Sequence, residues 1–158
     1  MSHKPPLVKL FYQYVRNTPS KNIIVNKAIL FCYLTYAVLE AGKFSSIKVY
    51  ATSRMLKHLY DKKPAEEFDS ILKHLHLIVR YPDHIYLNLD SKRGSICLLK
   101  QLKGEFYFCA LESTNGDIDD NPPGNYVATC FRLRADKKEN YLKKYRLVWS
   151  WKDGNSSS

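Results

Sequence analysis

Several common chemistries have no foothold in this 158-residue chain. There is no glycine-rich phosphate loop, no HExxH pair and no carboxylate cluster suited to magnesium, which removes the usual routes to nucleotide binding and metal-assisted hydrolysis. Four cysteines are present (Cys32, Cys97, Cys109 and Cys130), with no CxxC spacing, and three sit inside strand-like runs. Buried thiols in a reducing compartment explain them better than a zinc site or a disulfide framework. A Cys–His protease would lack its reactive thiol for the same reason. No metal and no cofactor is therefore expected. The longest apolar run, Ala28–Leu39, is too short to cross a bilayer and reads as a buried helix. Met1–Pro6 leads into a mixed segment without a cleavage-like pattern. The expectation is a cytoplasmic protein with no membrane partner.

Acid is also scarce relative to base. Fifteen Asp and Glu face 25 Lys and Arg, a net charge of +10, so a partner of opposite sign is expected unless the surface is merely basic. Nucleic acid is the commonest such partner, an acidic protein the next. Glu112, Asp117, Asp119 and Asp120 form one acidic loop between two basic stretches. With Asn, Gly and Pro around it, that loop reads as a solvated turn.

Pro5-Pro6 opens a helix over Leu7–Val15, and a second helix from about Val25 to Ala41 stops at Gly42. "SIKVYA" (Ser46–Ala51) reads as a strand, after which Thr52 or Ser53 caps a short helix. On that helix Met55, Leu56, Leu59 and Tyr60 share one arc, while Arg54, Lys57, His58 and Asp61 share the other. Ala65–Val79 is a stronger amphipathic helix burying Phe68, Ile71, Leu72, Leu75 and Val79, closed by Pro82. His74 and His76 lie two apart and cannot ligate one metal from it. The rest alternates as strands: His84–Leu89, Ser95–Leu102, Glu105–Glu112, Tyr126–Leu133 and Arg146–Trp151. "DSKRG" and "KG" are hairpin-like links, and Ala135–Tyr145 holds one or two helical turns with Tyr141 against Tyr145. Helices first and strands after give an α+β fold: N-terminal helices on a four- to six-stranded, mostly antiparallel sheet.

RNA can be cut without a metal because its own 2′-hydroxyl is the nucleophile. The protein must supply a base, an acid, and cations for the charged phosphorane. His58 is the first candidate for proton transfer, since imidazole titrates near neutrality. Lys57 and Arg54 share its face and suit phosphate, as do Lys62 and Lys63 just beyond. Thr129 sits in an apolar strand that ends on Arg132 and Arg134, where a guanidinium grips phosphate in two places. Tyr141, Tyr145, Trp149 and Trp151 stand among basic residues and suit base stacking; core packing explains the two tryptophans equally well.

Four segments in order, "LKHLYDKKP", "ILKHLHLIVRYPDHIYLN", "SICLLKQLKGEFYFCALE" and "NYVATCFRLRADKKENYLKKYRLVW", resemble phage-type nucleases of the barnase/EndoU/colicin/RelE-like (BECR) family. Members tend to carry a histidine in an "LKHI"-like helix, an "NPDYI"-like helix end and a "YVATxY"-like late strand with a basic stretch after it. The resemblance covers Ser46–Trp151, leaving Met1–Gly42 outside. It implies a metal-independent, toxin-like endoribonuclease in residues 44–152, preceded by a helical extension (1–43) and followed by a disordered tail (153–158). His58 matches the helix histidine, Thr129 the strand threonine, and Arg132, Arg134 and Lys138 the basic positions. The implied catalytic set is His58, Thr129 and Lys57. Arg54, Lys62, Lys63, Arg132, Arg134, Lys138 and Tyr141 would bind nucleic acid. Lys63 stands where the family often has a second histidine, and lysine is a poor acid–base group near neutrality unless its pKa is lowered. The expected partners are RNA, single-stranded or tRNA-like, and an acidic antitoxin or immunity protein. The alternative is an inactive RNA-binding or partner-binding module on the same scaffold.

Overall fold

The computed structural model describes residues 5–90, 95–114 and 121–151. The acidic positions Asp117, Asp119 and Asp120, most of the "DSKRG" link and the 153–158 tail lie outside the described residues. Helix α1 (Pro6–Leu10) starts on Pro6, whose missing N–H costs nothing at a first turn, and continues as a π-helical turn over Phe11–Val15. Next come β1 (Ala28–Tyr33), α2 (Tyr36–Gly42), β2 (Lys48–Thr52), α3 (Ser53–Lys62) and α4 (Ala65–Arg80). The chain ends with β3 (His84–Leu87), β4 (Ile96–Leu102), β5 (Glu105–Thr114), β6 (Gly124–Leu133), α5 (Ala135–Leu142) and β7 (Arg146–Ser150).

The class is α+β. Among the described residues the sheet has seven strands rather than four to six, in the order β1-β2-β6-β5-β4-β3-β7. Only β2 and β6 pair in parallel. The β4–β5 turn is Lys103-Gly104, with φ of +51° and +82°, the left-handed pair that matches the twist of a two-residue hairpin.

The helix expected over Val25–Ala41 is instead a strand followed by a short helix. Ala28–Tyr33 pairs antiparallel with β2, and only at Thr35, whose Oγ1 accepts from the Val38 N–H at 3.3 Å, does a helix begin. A short apolar run fits a buried helix and a buried strand alike, and the vacant edge beside β2 decides it. Residues 1–43 are therefore not purely helical. They supply an edge strand, and Leu7, Leu10, Val15 and Cys32 join the main core.

That core lies between one face of the sheet and α1, α3 and α4. Leu56, Leu59, Ile71, Leu75 and Ile78 meet Ile85, Leu98, Cys109 and Cys130. The opposite face carries a second cluster around Phe108, Leu99 and Leu133, on which α5 lies through Tyr141 and Leu142. No described helix is long and apolar enough to cross a membrane.

Ser53 ties the loop before β1 to the start of α3. Its buried hydroxyl donates to the Val25 carbonyl at 2.6 Å and accepts from the Lys27 N–H at 2.8 Å. Ser53→Ala should cost about 1–3 kcal/mol, because it strands a donor and an acceptor together. Urea unfolding would show it as a lower midpoint at unchanged slope.

Candidate functional site

The polar arc of α3 is partly taken by the chain's own N-terminal loop. Lys57, only 5% exposed, donates to the Pro19 carbonyl at 2.6 Å and to Asp61 Oδ1 at 2.7 Å. Asp61 Oδ2 in turn accepts from the Lys21 N–H at 2.9 Å. The Lys57 ammonium is thus committed to fastening residues 19–21 onto the helix. Arg54, His58 and Lys62 remain exposed on the outer side. Lys63 turns away, its Nζ 5.2 Å from the centre of the Phe131 ring.

The Lys57 ammonium, with help from the Lys21 N–H, holds the Asp61 carboxyl below its ordinary value. A depressed folded-state pKa contributes stability above the unfolded value of about 4, lost as pH falls through the lower folded value. Asp61→Asn should therefore be less stable than the parent at neutral pH. The gap should narrow on acidification below about pH 4; thermal melts of both from pH 7 to 3 would show a constant gap if the ion pair contributes nothing.

Thr129 does not join this helix face. It opposes Ala110 across β5–β6 and shares parity with Phe131 and Leu133, on the side away from α3 and α4. Arg132 has the other parity and is occupied. Its guanidinium forks onto Glu66, its Nε donates to the Tyr107 hydroxyl at 3.0 Å, and its backbone N–H donates to Glu67 at 3.1 Å. The Arg132 hydrogen bonds pull Glu66 below the usual carboxylate range. Arg132 thereby clamps β6 to the first turn of α4. Arg134 is exposed and paired with Asp136 at 3.0 Å. Among the described residues no hydrogen bond or ion pair links His58, Arg54 or Lys62 to Thr129, Arg132 or Arg134.

A different constellation forms on the α5 side of the sheet. His84 begins β3 opposite Leu99 of β4 and Ser150 of β7. Its Nδ1 lies 2.7 Å from the Ser150 hydroxyl, which is itself buried. The pocket there is about 600 Å³, walled by Asp83, His84, Gln101, Phe106, Ser150 and Trp151. Asp83 braces it: Oδ2 accepts from the Gln101 N–H at 2.8 Å, its carbonyl accepts from the Trp151 N–H at 2.7 Å, and Lys100 lies 3.7 Å from Oδ1. Trp151 is 53% exposed at the mouth. Two residues chosen from the sequence lie on this side of the sheet. Lys138 of α5 holds its ammonium 4.6 Å from the Phe106 ring centre, and Tyr141 meets Phe108 edge-on at 5.3 Å.

Sequence reasoning treated His84 only as the first residue of a strand and overlooked Asp83 and Ser150. The available signal was an acid–histidine pair directly after the helix-closing Pro82. Among the described residues no three His, Cys, Asp or Glu side chains are grouped to hold a metal ion. No family model, curated protein or solved structure matches this chain.

Proposed function

We propose that this protein is a metal-independent endoribonuclease acting from the His84 pocket. The observation that carries the reading is the His84–Ser150 contact inside a pocket flanked by Asp83 and an exposed tryptophan. Cleavage of RNA by its own 2′-hydroxyl forms the O2′–P bond and breaks P–O5′. One proton leaves O2′ and one arrives at O5′; the imidazole of His84 is the group suited to move them, and the Asp83 carboxylate, held by the Gln101 N–H and beside Lys100, braces the same wall. The Ser150 contact at Nδ1 fixes the tilt of the ring within the pocket. Trp151 and Phe106 offer faces for an unpaired base, and Lys138 a cation for phosphate. The net charge of +10 and the resemblance of Ser46–Trp151 to BECR nucleases favour a nuclease, although the resemblance assigns the histidine role to His58 and the pocket geometry assigns it to His84. That resemblance also motivates a toxin-like role.

The test is cleavage of a single-stranded RNA pool in EDTA by the parent, His84→Ala and His58→Ala. Loss with His84→Ala alone supports the pocket. Loss with His58→Ala alone moves the chemistry to α3. RNA retained without any product from the parent would leave the binding-module reading standing in place of the enzyme.

A further inference from the structure

We infer that the free edge of β1 and the groove beside it form a docking site for an extended, acidic segment of a partner polypeptide. β1 is the terminal strand of the sheet, and its sequence, Ala28-Ile29-Leu30-Phe31-Cys32-Tyr33, carries no charge and no proline. Edge strands of soluble proteins are normally guarded by charge, proline or a covering element, because their unpaired N–H and C=O groups template another strand. Among the described residues no strand pairs with that outer edge. Among the described residues the bond to it comes from the Arg80 Nε, which donates to the Tyr33 carbonyl at 3.1 Å at the strand's far end.

Alongside runs a groove of about 390 Å³ between β1, α4 and the start of α1. Its walls are apolar, with Leu7, Phe31 and Leu72 among them, and Tyr33 stands half-exposed at the lip. Its rim carries two cations, Lys73 and Arg80, beside His76, whose charged form burial and the neighbouring His74 and Arg80 disfavour. The terminal nitrogens of Arg80 make no hydrogen bond to described residues, and Lys73 holds only an exposed pair with Asp69. Strand addition supplies main-chain hydrogen bonds, and pockets for alternate side chains supply specificity. Apolar walls under a cationic rim select a strand whose apolar side chains enter the groove and whose acidic ones meet the rim. A second copy of this chain fits poorly, because two partners at +10 repel. Four strands lie between β1 and β3 in the sheet order, so this surface is separate from the His84 pocket and stands or falls independently of it.

The experiment uses the full chain and three fluorescein-labelled peptides, read by anisotropy. One alternates Val or Phe with Asp or Glu; a second replaces the acids with Lys; a third carries Pro at alternate positions. The acidic peptide should bind, the proline version should not, and Lys73→Glu, a surface change, should weaken binding on the order of tenfold. Arg80→Glu, with its fold checked by circular dichroism, should weaken it further. Equal binding of the acidic and Lys peptides overturns the charge argument. Undiminished binding of the proline peptide overturns strand addition. A dimer in sedimentation that Lys73→Glu alters would give the site to a second copy and overturn the acidic partner.

Discussion

Replacing His84 with alanine should lower RNA cleavage in EDTA by about 10²- to 10⁴-fold, the range that a positioned proton-transfer group contributes. The expectation rests on where the ring is held. The Ser150 hydroxyl, 2.7 Å from Nδ1, sits on an adjacent strand of the same sheet rather than on a loop, so the imidazole is aimed before any RNA arrives. His58→Ala should retain parental cleavage, since His58 is exposed on α3 and no described contact joins it to the pocket. Single-turnover rates separate the two, because they report the chemical step rather than binding. If His84→Ala matched the parent, the pocket would be no more than a surface recess.

Phe108→Ala should cost about 3–5 kcal/mol, the usual price of truncating a buried aromatic. Its ring contacts Phe131, Tyr141 and Tyr145 at centroid distances of 5.2, 5.3 and 5.5 Å. Tyr141 belongs to α5 and Tyr145 to the segment just after it, and α5 has no fully buried residue of its own. The helix is therefore held to the sheet mainly through this cluster. Removing the ring should loosen α5 together with Lys138, so RNA affinity should fall along with the urea midpoint. A loss of stability under about 1 kcal/mol would mean that α5 is held by something else.

Much of the fold was legible because its periods are strong. In α4, Phe68, Ile71, Leu72, Leu75 and Val79 keep helical spacing, and all five are buried. The Lys103-Gly104 turn and the alternating strands on either side announce a hairpin. Tyr141 and Tyr145, four apart on a helical turn, do meet, at 5.7 Å. β1 was not legible. An uncharged apolar run contains no period that tells a buried helix from a buried strand, and the answer came from the neighbour that needed pairing. The candidate site was legible only in part. Spacing correctly placed Arg54, Lys57 and His58 on one arc of α3, but it could not show that Pro19 and Asp61 already hold Lys57.

By itself the sequence determined the charge, the α+β class, and which residues share a side in α3, in α4 and in the β4–β5 hairpin. Those are local properties, set by 3.6- and 2-residue periods and by turn chemistry. Tertiary structure alone decided that Thr129 lies across the sheet from α3, that Arg132 is clamped by Glu66, and that His84 meets Ser150, 66 residues away. Such meetings depend on strand order and register. The cysteines, first noted for a spacing that binds no metal, turn out to be four buried thiols. Their burial, like the meeting of His84 with Ser150, is set by the packed sheet and not by spacing along the chain.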